Sequence, residues 1–362
     1  MAYTCKTLVL DEILEKADKE IPLSKEEIVF LLCLSDKKEI KKVNETACKL
    51  RKRYFGNKIF FYGFVYFSTY CKNDCAFCFY RKSNTKTIRY RKKAEEIVET
   101  AKRLADSGVH LLDLTMGEDP VFFSDDYKGF EGLLDIIRSV KDKTGLPVMI
   151  SPGVVPEELL RKFKEAGVDW YACYQETHNK KLYEKMRLYQ SYEVRLLRKK
   201  TAQKMGFLIE EGILTGIGDT SEDVANSFEI MKDLNADQVR VMSFVPQKGT
   251  PMDGWSTPTR LRELLIIAAM RLVFPDRLIP ASLDVDGLKG LRDRLLAGAN
   301  VVTSIIPPQA GFAGVSQSSL DIEEGNRTVN GALPVLKNCG LIPADKIDYI
   351  SWIRKRQEQN RI

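Results

Sequence analysis

Ile59-Phe-Phe-Tyr-Gly-Phe-Val-Tyr-Phe67, then Ser68-Thr-Tyr70, then Cys71-Lys-Asn-Asp-Cys75-Ala-Phe-Cys78 is the stretch on which the reading of this chain turns. The first nine residues are a continuous apolar run, rich in aromatic and β-branched types, which reads as a fully buried strand. The cysteines therefore sit in the loop that follows it. Spaced C-x₃-C-x₂-C, three thiols can converge on one metal centre and leave one coordination position empty. Thiolate sulfur suits zinc and iron–sulfur clusters alike, so ligand type does not choose between them. A structural zinc site is closed by four ligands. The only histidines, His110 and His178, lie far along the chain, and no second cysteine pair follows. Three cysteines on a 4Fe–4S cluster leave one iron open to a small molecule, so iron is the better reading.

Working outward, strand and helix patterns alternate. Apolar strand candidates fall at 59–67, 109–115, 147–151, 168–174, 207–214, 238–244, 277–283 and 300–306. Helix patterns lie between them at 93–106, 127–143, 156–166, 179–205, 221–233, 257–274 and 287–297, and Gly108, Gly145, Gly167 and Gly206 stand where helices should stop. Eight βα units predict a (βα)8 TIM-type barrel with its site at the C-terminal ends of the strands. Residues 1–58 read as a helical arm packed on the barrel, with a capping-box pattern at Ser24-Lys-Glu-Glu27. Residues 59–307 form the barrel, and 308–362 a C-terminal extension with a loop at 309–319 and a closing helix at 343–356.

Bulk properties narrow the function. Fifty-six basic against fifty acidic residues give a net charge of +6. The charges are scattered rather than drawn into a stripe, which argues against nucleic acid. The start has no signal-peptide core, and the longest helical apolar run, 264–270, is broken by Arg271, so no membrane span is expected. The cysteines other than the triplet are isolated (Cys5, Cys33, Cys48, Cys173, Cys339), which suits a reducing cytoplasm better than a disulfide framework.

A barrel should gather unusual polar residues at its strand ends, and this chain does. Alternation puts Asp113 and Thr115 on the side of Gly117, so a carboxyl points inward and should meet a cation, from the protein or from a ligand. Ser151 ends the third strand, as a ligand contact or as a plain turn serine. Arg240 lies inside an apolar strand, where an arginine needs an anion. Ser282 and Asp284 share a face at the seventh strand's rim. One arginine and two aspartates complement a molecule with one carboxylate and two ammonium groups, a basic amino acid.

The pattern C-x₃-C-x-aromatic-C, with Phe77 as the aromatic, resembles the radical S-adenosylmethionine superfamily. That resemblance implies a 4Fe–4S cluster on Cys71, Cys75 and Cys78, with S-adenosylmethionine as co-substrate and source of a 5′-deoxyadenosyl radical. Met116-Gly117-Glu118 looks like the superfamily's Gly-Gly-Glu element, which takes the cofactor's amino group; Met116 replaces its first glycine. Within the biotin synthase-like branch, Glu176 matches the acid that contacts the ribose, and Arg195 the arginine for the cofactor carboxylate, against the plainer readings of a turn acid for Glu118 and a surface-helix arginine for Arg195. Ser151, Ile213 and Leu214 would complete the cofactor's surroundings, the last two as walls for adenine. The runs 54–57, 66–71, 113–120, 247–251 and 278–284 are more specifically similar to the methylornithine synthases of pyrrolysine biosynthesis. Their reaction isomerises L-lysine to (3R)-3-methyl-D-ornithine, with an electron donor such as flavodoxin or ferredoxin. Asp113, Arg240, Ser282 and Asp284 would then hold lysine. The alternatives are another enzyme of the branch, such as a hydrogenase maturase-like protein, and a non-catalytic metal-binding protein.

Overall fold

The computed structural model describes residues 8–314 and 326–360. Cys5 and part of the 309–319 loop lie outside them. Eight parallel strands form the barrel: β1 Lys58–Ser68, β2 Leu111–Met116, β3 Val148–Ser151, β4 Trp170–Ala172, β5 Leu208–Thr215, β6 Gln238–Ser243, β7 Pro280–Ser282 and β8 Val301–Ile305. Their order is β6-β5-β4-β3-β2-β1-β8-β7, and a bridge between Gln238 and Leu278 joins the two ends. A short β9, Ile342–Pro343, pairs with β1 outside the barrel. Each strand candidate from the sequence lands on one of the eight. The register runs inward as alternation requires: Phe64 faces Asp113 on β2, and Thr115 faces Ser151 on β3.

The arm folds into three helices, Leu10–Asp18, Lys25–Leu32 and Lys37–Phe55. The Ser24–Glu27 box forms, with Ser24 N donating to Glu27 at 2.7 Å and Glu27 N to Ser24 Oγ at 3.2 Å. The apolar face of the arm, including Ile28, Leu31 and Leu50, is buried in the common core, and among the described residues none from the arm lines the cavity described below. The closing helix spans Lys346–Gln359. Its Tyr349 hydroxyl meets that of Tyr62 at 2.6 Å, Trp352 stacks on Trp170, and Arg356 pairs with Asp237 at 2.8 Å. A second tail helix, Val329–Asn338, was not expected from the sequence.

One departure from the expected pattern matters for the site. The single helix expected over 179–205 is two, Lys180–Met186 and Tyr192–Lys204. Tyr189 takes φ +61° in the break, and Ser191 restarts the helix by accepting from Val194 N at 3.2 Å. The apolar spacing runs through the break, so periodicity could not reveal it.

Candidate active site

At the C-terminal ends of the strands a cavity encloses about 1270 Å³, part of it open to solvent. Its upper wall is the cysteine loop. Cys71, Cys75 and Cys78 all line it, with Phe77 beside them. Backbone bonds fix the loop: Lys72 N donates to Glu118 O at 2.8 Å, and Ala76 N to Met186 O at 2.8 Å. Gly117 is needed for that seam. A Cβ there would stand 2.3 Å from Tyr70 O and 2.9 Å from Cys71 Cβ. Gly117→Ala should therefore displace the cysteine loop and lower the iron and sulfide bound after reconstitution, with the barrel's far-ultraviolet circular dichroism retained.

The three thiols of this one loop line one cavity, and thiolate sulfur is the donor that suits an iron–sulfur cluster. Burial pushes the Cys71 thiol up to about 11 and also raises that of Cys78. Thiolates are the metal-binding form, so at Cys71 and Cys78 a bound cation would have to offset that burial.

Below the cysteines, Glu118 and Glu176 each hold an arginine. Arg195 Nη2 lies 3.3 Å from Glu118, and Arg187 Nη2 lies 2.6 Å from Glu176. Arg195 is buried rather than on a helix surface, and its Nη1 touches Cys173 Sγ at 2.9 Å. The Nε atoms of both arginines are buried without a partner, and Lys72 approaches Glu118 at 3.4 Å. Glu176 takes φ +68°, held by its backbone bridge to Ile213 on β5. Such a backbone is costly for a residue with a side chain and occurs where the surroundings impose it. Leu214 lines the cavity. Ile213 does not; it packs in the barrel core, so of the two expected adenine walls only Leu214 is placed for it. Gly212, one step back, leaves room for the Tyr174 ring, which would lie 2.9 Å from a Cβ.

The barrel floor carries the charged set. Arg240 lines it, fully buried. The anion it requires is one that the sequence reading missed: Glu210 on β5, 2.6 Å from Arg240 Nε. Tyr174 hydroxyl donates to Glu210 at 2.7 Å, Arg240 Nη1 donates to Thr303 at 3.1 Å, and Arg240 Nη2 has no partner. Asp284 also lines the cavity and is not free for a ligand alone. Arg327, from the tail, reaches it at 2.9 Å, with Ser304 Oγ at 2.7 Å and Tyr66 hydroxyl at 3.0 Å. Burial works against the Asp284 carboxylate, yet Arg327 and Ser304 keep its pKa below the ordinary value. Ser282 does not line the cavity; its hydroxyl lies 3.3 Å from Asp284 Oδ2 and supports that carboxylate from behind.

Asp113 differs from both. Its hydrogen-bond donor is Ser151 Oγ at 3.0 Å, so Ser151 serves this carboxyl, and among the described residues Asp113 makes no ion pair. Burial, and then the nearby negative Glu210, push it up to about 8. A carboxyl held in this way stays mostly protonated at neutral pH unless a cation comes beside it.

The fold agrees with comparisons to known proteins. Residues 65–231 match the model of the Radical SAM superfamily. The chain is 43% identical over 345 residues to 3-methylornithine synthase of Methanosarcina acetivorans, covering 95% of this chain and 97% of that one. The chain belongs to the methylornithine synthase family of radical SAM enzymes. A crystal structure of methylornithine synthase (PylB) superposes with a TM-score of 0.88 at 41% identity, over 94% of this chain and 99% of that one. The FeFe hydrogenase maturase subunit HydE of Thermotoga maritima is 31% identical over 80% of this chain. As a radical SAM enzyme the chain uses a 4Fe–4S cluster and S-adenosylmethionine. Among the described residues no helix is long and apolar enough to cross a membrane.

Proposed function

We propose that this family member isomerises L-lysine to 3-methylornithine within the cavity, using an external one-electron donor such as flavodoxin or ferredoxin. The observation that carries the substrate reading is Asp113, a buried carboxyl facing the cavity with a hydroxyl on it and, among the described residues, no ion pair. When bound, the cluster and S-adenosylmethionine supply the 5′-deoxyadenosyl radical, and that chemistry is the cofactors' own. Cys71, Cys75 and Cys78 hold the cluster. Glu118, Glu176 and Arg195, with Gly117 and Leu214, hold S-adenosylmethionine, and the unpartnered arginine Nε atoms fit a ligand carboxylate. Arg240 Nη2 takes the lysine carboxylate while Glu210 and Thr303 hold the guanidinium still. Asp113 takes one ammonium group, and Asp284, poised between Arg327 and Ser304, lies within the same wall for the other.

Anaerobic reconstitution with reductant, S-adenosylmethionine and L-lysine, read by mass spectrometry of the amino-acid product, tests the reading. Absence of 3-methylornithine with 5′-deoxyadenosine still forming would reject the substrate. The Asp113 carboxyl adds a pH test. Below about 8 it is mostly neutral, so lysine affinity should rise by roughly tenfold per pH unit between 6 and 8. In Asp113→Asn protein that rise should vanish, as equilibrium dialysis would show. The sign for stability is opposite. The ligand-free native state keeps a proton that the unfolded chain has released, so stability should decline between pH about 4 and about 8 by on the order of a few kcal/mol. Asp113→Asn should flatten that decline in urea titrations.

A further inference from the structure

Two side chains from the break between helices 180–186 and 192–204 touch a cysteine sulfur of the triplet. Gln190 Nε2 lies 3.1 Å from Cys75 Sγ, and Arg187 Nη1 lies 3.7 Å from it. We propose that Gln190, with Arg187 behind it, donates to the Cys75 thiolate and raises the reduction potential of the cluster. This rests on the assignment of Cys75 as a cluster ligand.

The orientation of the Gln190 amide is determined by its neighbours. Its Oε1 accepts from Arg195 Nη2 at 2.7 Å and from Arg187 Nη1 at 3.4 Å. A flipped amide would set its NH₂ against two guanidinium groups and its oxygen against sulfur, so the N–H must face Cys75. The two arginines are themselves anchored: Arg195 by Glu118 and Cys173, Arg187 by Glu176 and by the Phe77 ring, whose centroid lies 5.5 Å from the guanidinium carbon. The bond from Ala76 N to Met186 O ties the break to the cysteine loop, so donor and sulfur move together.

The physical effect follows from charge. Reduction by one electron from an external reductant takes the cluster from the 2+ to the 1+ state, with no bond or proton changing hands, and part of the added charge falls on the ligand sulfurs. An N–H aimed at sulfur stabilises the reduced form more than the oxidised one, and hydrogen bonds to the sulfurs are among the terms that set cluster potentials. Gln190 does so without a net charge of its own. It also links the potential to the rim residues proposed to hold S-adenosylmethionine, because Arg195 is the group that turns its amide.

The test is a dye-mediated potentiometric titration, followed by electron paramagnetic resonance, of reconstituted parent, Gln190→Leu and Gln190→Glu proteins. At a fixed potential Gln190→Leu should lower the ratio of reduced to oxidised cluster about tenfold, a shift of about 59 mV for one electron. Gln190→Glu keeps an oxygen for the arginines but turns another towards sulfur, and should shift in the same direction. Lys185→Gln removes an exposed charge from the preceding helix and should leave the ratio within about twofold of the parent. Parent midpoints in both Gln190 variants, with full iron and sulfide, would overturn the proposal, as would a shift to more positive potential. Failure of the underlying assignment shows separately, as a Cys75→Ala protein that keeps its full iron and sulfide.

Discussion

Cys75→Ala protein, reconstituted anaerobically with iron and sulfide, should hold no 4Fe–4S cluster and form no 5′-deoxyadenosine. Cys71→Ala and Cys78→Ala should behave alike. In the proposed assignment three thiolates are the protein ligands, and two would leave the cluster with a second open iron in a cavity partly open to solvent. Nothing nearby replaces the lost sulfur. Cys173 is buried against Arg195 on the barrel side of the cavity, and Asn73 is an amide. Cys48→Ala and Cys339→Ala are the matched controls. Cys48, in the arm helix 37–55, faces the carbonyl of Leu296 at 3.2 Å, Cys339 caps the helix 329–338, and neither lines the cavity. Both should keep the parent's absorbance, iron content and 5′-deoxyadenosine yield. A Cys75→Ala protein with cluster and activity intact would end the assignment.

The barrel was legible because its determinants are local and periodic. Eight apolar runs separated by amphipathic stretches specify alternating strands and helices, and the connection rule leaves little choice of topology. The cysteine loop was legible because its spacing and its place after a strand are both in the sequence. The ion pairs were harder. Arg240 announced the need for an anion, and the answer lay in Leu208-Ile-Glu-Glu-Gly212, where two acids interrupt an apolar strand. Both are buried: Glu210 on Arg240, Glu211 on Lys199. Two adjacent acids in one strand point to opposite faces, so one had to be interior, and that was the missed signal. Arg327 gave no such sign, since it comes from an irregular stretch and reaches Asp284 only through tertiary folding. Arg187 and Gln190 were hidden by a break in a helix whose apolar spacing is unbroken. Ile213 and Leu214 show the limit of naming neighbours: adjacent strand residues face opposite ways, and of these two Leu214 lines the cavity while Ile213 packs in the core.

Arg240→Ala should lower kcat/KM for lysine by at least about a hundredfold, equivalent to roughly 2.7 kcal/mol. Two losses combine. On the proposed reading the substrate carboxylate loses its guanidinium, and Glu210 keeps Tyr174 and Gln238 as its donors among the described residues in a fully buried place. Breaking a buried pair in this way costs about 3–5 kcal/mol, so instability could imitate a binding defect. The double variant Arg240→Met with Glu210→Gln separates them. Removing both charges should return thermal stability close to the parent's, because no carboxylate is stranded, while turnover stays low because nothing holds the lysine carboxylate. Cluster absorbance and S-adenosylmethionine binding should be unchanged, since the cysteines, Glu118 and Arg195 form their own contacts above the floor. A diamine lacking the carboxylate should be rejected strongly by the parent and much less by the double variant. Lysine turnover that recovers together with stability would make Arg240 a structural partner of Glu210 and remove it from the substrate site.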